Sequence, residues 1–76
     1  MDWTRVESSN IEAVHYDEKT DELYVKFKSG SVYHYFNVPY VEYRHLLDAD
    51  SKGKYLSEHI KGHKYNKVEP EHGDDE

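Results

Sequence analysis

One stretch decides the fold of this chain: Ser31-Val32-Tyr33-His34-Tyr35-Phe36-Asn37-Val38-Pro39. It follows a Ser29-Gly30 pair, in which glycine supplies the positive φ that a tight hairpin needs. Its alternating aromatic residues are typical of a β-strand. Pro39 restricts the residue before it to an extended conformation and suits the first position of a helix. The stretch therefore predicts a strand that leads directly into a helix.

Two further strands are predicted upstream of this stretch. Residues 22–28 alternate cleanly, since every second side chain from Leu23 to Phe27 is apolar. Residues 11–17 are rich in strand formers but alternate imperfectly, and a bulge near residues 12–13 would give them one common inward face. Together with the strand at 31–36, these segments predict a three-stranded antiparallel meander.

The C-terminal half predicts two short helices. Apolar and aromatic residues recur at helical spacing from Tyr40 to Leu47. The polar run 48–51 ends this helix and caps a second one, which runs toward Gly62. Residues 63–68 predict a short extra edge strand or an extended tail. The expected fold class is α+β, with two short C-terminal helices that cover the meander.

The length and charge of the chain suggest one domain with an acidic extension. A chain of 76 residues buries about 60% of its unfolded surface, which suffices for one small core. We expect this domain over residues 8–68, preceded by an N-terminal segment of residues 1–7. Residues 69–76 contain five acidic residues and no Lys or Arg, and they predict a disordered tail.

The net charge of −6 is unevenly distributed along the chain. Residues 51–67 contain five lysines and one glutamate, whereas the segments on either side are acidic. Lysines of this density neutralise nucleic-acid phosphates, and they also coat solvated helices. The charge pattern leaves both interpretations open.

The composition argues against several kinds of chemistry. The chain has no cysteine, so disulfides and Cys-ligated zinc are excluded. His59 and His63 have the spacing of two ligands on one helix face, but no third ligand accompanies them. No serine lies on a glycine-flanked elbow, and no glycine-rich phosphate loop is present. We expect no metal, no cofactor and no enzymatic activity.

The hydropathy of the chain predicts a cytoplasmic protein without a membrane partner. No apolar run approaches the roughly 20 residues that span a bilayer. The first residues lack the charged and apolar regions of a signal peptide.

Aromatic rings with nearby lysines are the strongest functional signal. If Tyr33 and Tyr35 shared the face of Tyr24, they would form a platform for stacking the bases of single-stranded RNA or DNA. In the alternative, both rings pack inward under the first helix. The predicted nucleic-acid-binding residues are Lys52, Lys54, Lys61, Lys64, Tyr24, Lys26 and Lys28.

Several segments have the order and spacing of a known small domain: Ser8-Ser9-Asn10-Ile11, Tyr16-Asp17, the residues from Leu23 to Gly30, Tyr33-His34-Tyr35, Val38-Pro39, the residues from Ser51 to Leu56, His59-Ile60-Lys61 and Tyr65. In these segments the chain resembles the KTSC domain family. That family is named for a C-terminal appendage of some lysyl-tRNA synthetases, and it also occurs as free-standing bacterial and phage proteins. The residues that mark the resemblance are Tyr33, Tyr35, Pro39, Gly53 and Tyr55.

The resemblance implies a non-enzymatic binding module for which RNA is a suggested ligand. It supplies no catalytic residue. The alternative is a protein-interaction adaptor or a phage or host regulatory protein, in which Trp3, Tyr40 or Tyr43 would anchor the partner.

Overall fold

The computed structural model describes residues 2–60 and 62–68. Its elements in chain order are β1 (Thr4–Arg5), β2 (Ile11–Asp17), β3 (Glu22–Phe27), β4 (Val32–Tyr35), α1 (Tyr40–Asp48), α2 (Lys52–Tyr55), a π-helical turn (Leu56–Ile60) and β5 (Tyr65–Val68). The strands form one sheet in the order β1-β2-β3-β4-β5, and every neighbouring pair is antiparallel. The α+β class, with an antiparallel sheet and two helices, is confirmed.

The predicted number of three strands is wrong, because residues 2–60 and 62–68 form five. β5 is the extra edge strand that the sequence at 63–68 allowed. β1 contains only two residues, Thr4 and Arg5, which are too few to show alternation and are defined by their pairing with Val14 and Ala13. All four residues of β5 are exposed, so this strand also lacks a buried face that its sequence would reveal.

The predicted bulge in β2 is confirmed. The register with β3 shifts between Ile11, which lies opposite Phe27, and Ala13, which lies opposite Lys26. The extra residue lets β2 bury Ile11 and Val14 although an odd spacing separates them.

The helices cover only one face of the sheet. The core between the two layers consists of Ile11, Val14, Leu23, Val25, Tyr35, Val38, Leu46, Leu56 and Ile60. We call the sheet face that carries Leu23, Val25 and Tyr35 the helix face. The opposite face carries Tyr24 and His34, and we call it the open face. Burial of each large core side chain contributes about 1.5–3 kcal/mol, so the helix face supplies most of the stability.

The connection from β4 to α1 is fixed by backbone contacts. Asn37 adopts a positive φ of 57° and turns the chain back onto the sheet. The Val38 N–H then donates to the Asp21 carbonyl at 2.8 Å, and the Tyr16 hydroxyl donates to the Val38 carbonyl at 2.7 Å. Pro39 has extended dihedrals at the N-cap position, so α1 begins one residue later than predicted.

The second helical segment is longer than α2 alone. The Ser51 hydroxyl accepts the Lys54 N–H at 3.4 Å and caps α2, as the sequence indicated. The following π-helical turn buries Leu56 and Ile60 against the sheet. No helix within residues 2–60 and 62–68 is long and apolar enough to cross a membrane.

Candidate nucleic-acid interface

The orientation of Tyr33 and Tyr35 follows from the strand register. Tyr33 lies opposite Val25, and Tyr35 lies opposite Leu23. Directly opposed residues of antiparallel strands share a face, so both tyrosines lie on the helix face. Tyr35 is 4% exposed, whereas Tyr33 is half-buried. The structure therefore shows the arrangement in which both rings point toward the helices.

A groove of about 560 Å³ runs between the helix face of the sheet and the second helical segment. Its lining residues are Asn10, Phe27, Ser29, Ser31, Tyr33, Tyr35, Gly53, Leu56, Ser57 and Tyr65. The volume lies within the range of about 300–1,000 Å³ that is usual for ligand sites.

An aromatic cluster forms one wall of the groove. The Tyr65 ring centroid lies 5.6 Å from that of Tyr33 and 5.6 Å from that of Tyr35. Phe27 meets Tyr33 edge to face, with the centroids 5.5 Å apart and the planes at 87°. Tyr65 is 47% exposed, so the cluster extends from the core to solvent at the β5 edge.

The polar groups of the groove are neutral. Burial, reinforced by the neighbouring Tyr33 and Tyr65, raises the pKa of Tyr35 to about 12, so this phenol stays protonated at neutral pH. Asn10, Ser29, Ser31 and Ser57 add amide and hydroxyl groups. None of the described residues that line the groove carries a charge at neutral pH.

Lysines are frequent next to the lining residues in the sequence. Three exposed lysines adjoin lining residues in sequence: Lys28, Lys54 and Lys64. Lys67 is also exposed and lies opposite Tyr33 in the register of β4 and β5, on the helix face. One acid, Glu58, adjoins the lining residue Ser57. Among the sequence neighbours of the lining residues, lysines therefore outnumber acidic residues, although the whole chain is acidic.

Two other predicted lysines have different positions. The Lys52 ammonium donates to the Ala49 carbonyl at 3.1 Å, just beyond the C-terminal end of α1. This contact stabilises a helix end where backbone carbonyls are unpaired. Lys61 lies outside the described residues.

Tyr24 and Lys26 lie on the open face, across the sheet from the groove. The Tyr24 ring stacks on His34, with the centroids 4.0 Å apart and the planes at 15°. The Lys26 ammonium lies 5.8 Å from the centroid of the Trp3 ring. Since His34 covers one side of the Tyr24 ring, this ring is poorly placed to stack on a base. The seven residues predicted to bind nucleic acid therefore do not form one surface.

The other residues that mark the family resemblance lie in the helices or at their ends. Pro39 is the N-cap of α1. The Tyr55 ring packs between His45 and His59, at centroid distances of 6.4 and 4.4 Å. Gly53 lies in α2 and lines the groove.

The two histidines of helical spacing do not act as a pair. The His63 imidazole contacts the Glu42 carboxylate at 2.7 Å and joins the segment before β5 to α1. Among residues 2–60 and 62–68, no three His, Cys, Asp or Glu side chains come close enough to hold a metal ion.

Several groove residues were not among the predicted binding residues. These are Asn10, Phe27, Ser57, Tyr65 and the adjacent Lys67. Alternation from Tyr65 would have placed Lys67 on the face of that tyrosine if β5 had been recognised as paired. Asn10 and Ser57 lie in a loop and a helical turn, where sequence periodicity gives no orientation.

The fold and groove define a small α+β domain with an aromatic, lysine-flanked cleft. The chain belongs to the KTSC domain family, whose pattern matches residues 7–70. All groove-lining residues except Ser31 and Ser57 lie in the segments that carry this resemblance. Of the five residues that mark the resemblance, Tyr33, Tyr35 and Gly53 line the groove.

Known proteins share this domain in two settings. A lysine–tRNA ligase of Nostoc sp. is 45% identical over 56 residues, which are 74% of this chain and 10% of the ligase. The chain thus spans about a tenth of the length of that relative. An uncharacterized protein of Stutzerimonas stutzeri is 35% identical over 60 residues, and the matched region covers 84% of that protein.

A solved structure has the same fold. The crystal structure of a KTSC domain protein from Yersinia pestis superposes on this chain with a TM-score of 0.81 and 30% sequence identity. The match covers 88% of this chain and 96% of the Yersinia pestis chain.

Proposed function

We propose that this domain is a non-enzymatic binding module that holds single-stranded RNA in the groove. The observation that carries the proposal is the meeting of Tyr33, Tyr35 and Tyr65 with a lysine-flanked, uncharged cleft. Single-stranded nucleic acids are bound by this combination of aromatic rings, which stack on bases, and cations, which neutralise phosphates.

The exposed part of the aromatic cluster supplies the stacking surface. Tyr65 is the most solvent-exposed of the three tyrosines, and its ring continues the wall formed by Tyr33 and Tyr35. A base that stacks on an aromatic side chain contributes about 1–3 kcal/mol to binding. Lys28, Lys54 and Lys64 lie next to this wall in sequence and bind the phosphates on either side of the stacked base.

The relatives support an RNA context for this proposal. Lysine–tRNA ligases join lysine to a tRNA, as their name states, and the Nostoc sp. ligase contains a segment similar to this chain. A cytoplasmic location fits the same context. The family description names no reaction, and the similarity to the ligases is confined to this small domain.

A protein-interaction adaptor is the second candidate, and one observation favours it. Tyr40 and Val41 are adjacent on α1 and are 53% and 59% exposed. Of the other two predicted anchors, Tyr43 stacks on Tyr16 with the centroids 4.6 Å apart, and Trp3 lies beside Lys26. Tyr40 and Val41 therefore form a small exposed apolar surface in the first turn of α1.

A pair of matched tyrosine variants tests the proposal. Tyr65 and Tyr40 are similarly exposed, at 47% and 53%, but only Tyr65 lines the groove. We expect Tyr65→Ala to weaken binding of a fluorescent single-stranded RNA octamer about 5- to 150-fold, and Tyr40→Ala to leave it unchanged. The measurement is fluorescence anisotropy at fixed salt.

The same titration separates the two candidate functions. Unchanged affinity in Tyr65→Ala would contradict the groove as the RNA site. Absence of RNA binding in the unmodified chain, together with a protein partner lost in Tyr40→Ala, would favour the adaptor.

A further inference from the structure

The strand β5 has little hydrophobic burial to hold it on the sheet. All four of its residues are exposed. Neither the hydrophobic core nor the half-buried apolar side chains packed against it include a residue of 62–68. The strand pairs with β4, and the Phe36 N–H donates to the Lys64 carbonyl at 2.8 Å where this pairing begins. Polar contacts therefore contribute much of what fixes the position of β5.

One side-chain contact joins the start of β5 to the helical layer. The His63 Nε2 atom lies 2.7 Å from the Glu42 Oε1 atom, and both side chains are partly buried. Glu42 lies in the first turn of α1, which Leu46 fixes in the core. His63 lies two residues before Tyr65, and its N–H donates to the Ile60 carbonyl at 2.9 Å. The contact therefore ties an exposed edge strand to a helix that the core holds in place.

A second contact of the same kind joins elements that are already paired. The His34 Nε2 atom lies 3.0 Å from the Glu22 Oε1 atom, and these side chains are also partly buried. They lie on the open face and connect β3 to β4, which pair directly with each other. This contact is therefore a natural control for the one between Glu42 and His63.

We infer that Glu42 and His63 are positioning residues for the groove. Their contact holds β5, and with it the Tyr65 ring, in the wall beside Tyr33 and Tyr35. Neither side chain is among the described residues that line the groove, so both act through Tyr65. The effect on RNA affinity rests on the proposed function, whereas the attachment of β5 does not. A molecule with β5 detached lacks this wall, so the apparent affinity falls with the fraction of molecules that keep β5 in place.

Hydrogen exchange of the full chain, followed by NMR, tests the attachment of β5. We expect Glu42→Ala to increase the exchange rates of the β5 amides that pair with β4 about 10-fold, because a hydrogen bond to a charged group is lost. Rates in β2 and β3 should change little. Glu22→Ala should leave the β5 rates unchanged. Glu42→Gln keeps an oxygen that accepts the imidazole N–H, so it should restore most of the protection.

The fluorescent RNA octamer measures the consequence for the groove. Glu42→Ala should weaken its binding about 3- to 10-fold, whereas Glu22→Ala, which changes the net charge equally, should not. Glu42→Gln should recover most of the affinity. His63→Ala should match Glu42→Ala, and the double variant should show no larger effect, because both substitutions remove the same contact.

The two measurements separate the possible failures. Unchanged exchange in β5 after Glu42→Ala, or an equal increase after Glu22→Ala, would overturn the inference. Faster exchange in β5 with undiminished RNA affinity would also overturn it, because β5 would then not position the groove. If the unmodified chain bound no RNA, the proposed function would fail, and the exchange rates alone would support or overturn the attachment of β5.

Discussion

Reversal of the three lysines next to the groove is expected to weaken RNA binding roughly 100-fold at 0.1 M salt. In the variant Lys28→Glu/Lys54→Glu/Lys64→Glu, three phosphate contacts are lost. Each contact contributes about 0.7 to the log–log dependence of affinity on salt for a single strand. Three contacts give a slope near 2, which amounts to about two decades of affinity between 0.1 M and 1 M salt. All three side chains are exposed, so the fold should persist.

A second triple reversal controls for the total charge. Arg5, Lys19 and Lys26 lie on the open face or in the turn between β2 and β3, away from the groove. Each reversal changes the charge by −2, so both triple variants have −6 − 6 = −12. We expect the control to retain most of the affinity and most of the salt slope. Equal loss in both variants would mean that only net charge matters and that the groove is not the site.

Replacement of Tyr35 by alanine is expected to lower the free energy of unfolding by about 3–5 kcal/mol, as for other large aromatic residues removed from a core. The ring is 4% exposed and belongs to the central hydrophobic cluster. A domain of 76 residues has a total stability of only about 4–11 kcal/mol at the usual value per residue. The variant should therefore be near the limit of folding, and urea unfolding followed by circular dichroism measures the change.

Two other substitutions are controls for the Tyr35→Ala measurement. Tyr35→Phe keeps the ring in the core and should change the free energy of unfolding by less than about 1 kcal/mol. Tyr40→Ala removes a ring of the same kind from the surface of α1 and should also cost less than about 1 kcal/mol. If Tyr35→Ala were as stable as Tyr40→Ala, the packing of β4 under the helices would be incorrect.

The centre of the fold was predictable because its signals are local. The alternation in 22–28, the Ser29-Gly30 turn and the Val38-Pro39 step each have a direct conformational cause, and the structure contains all of the elements that they predict. The edges were less predictable. β1 is too short to have a pattern, and β5 has no buried residue, so both are defined by their pairing with β2 and β4.

The candidate binding surface was also predictable only in part. The lysines and tyrosines were recognised from sequence as candidates, but their grouping depends on which sheet face each one occupies. Tyr24 and Tyr33 lie on adjacent strands and point to opposite faces, a difference that the register decides. Asn10 approaches Gly53 only because the loop before β2 packs beside α2. No sequence period relates these two residues, so the sequence does not predict that they lie close together.

The most direct test of the groove as the RNA site is an NMR titration of the isotopically labelled chain with a single-stranded adenosine octamer. We expect backbone amide shifts to change most at Ser31, Gly53, Ser57 and Tyr65, which line the groove. Little change is expected at His15, Tyr24 and Asn66, which lie on the open face. Shifts confined to the open face or to α1, or no shifts at RNA concentrations well above those of the protein, would contradict the groove as the RNA site.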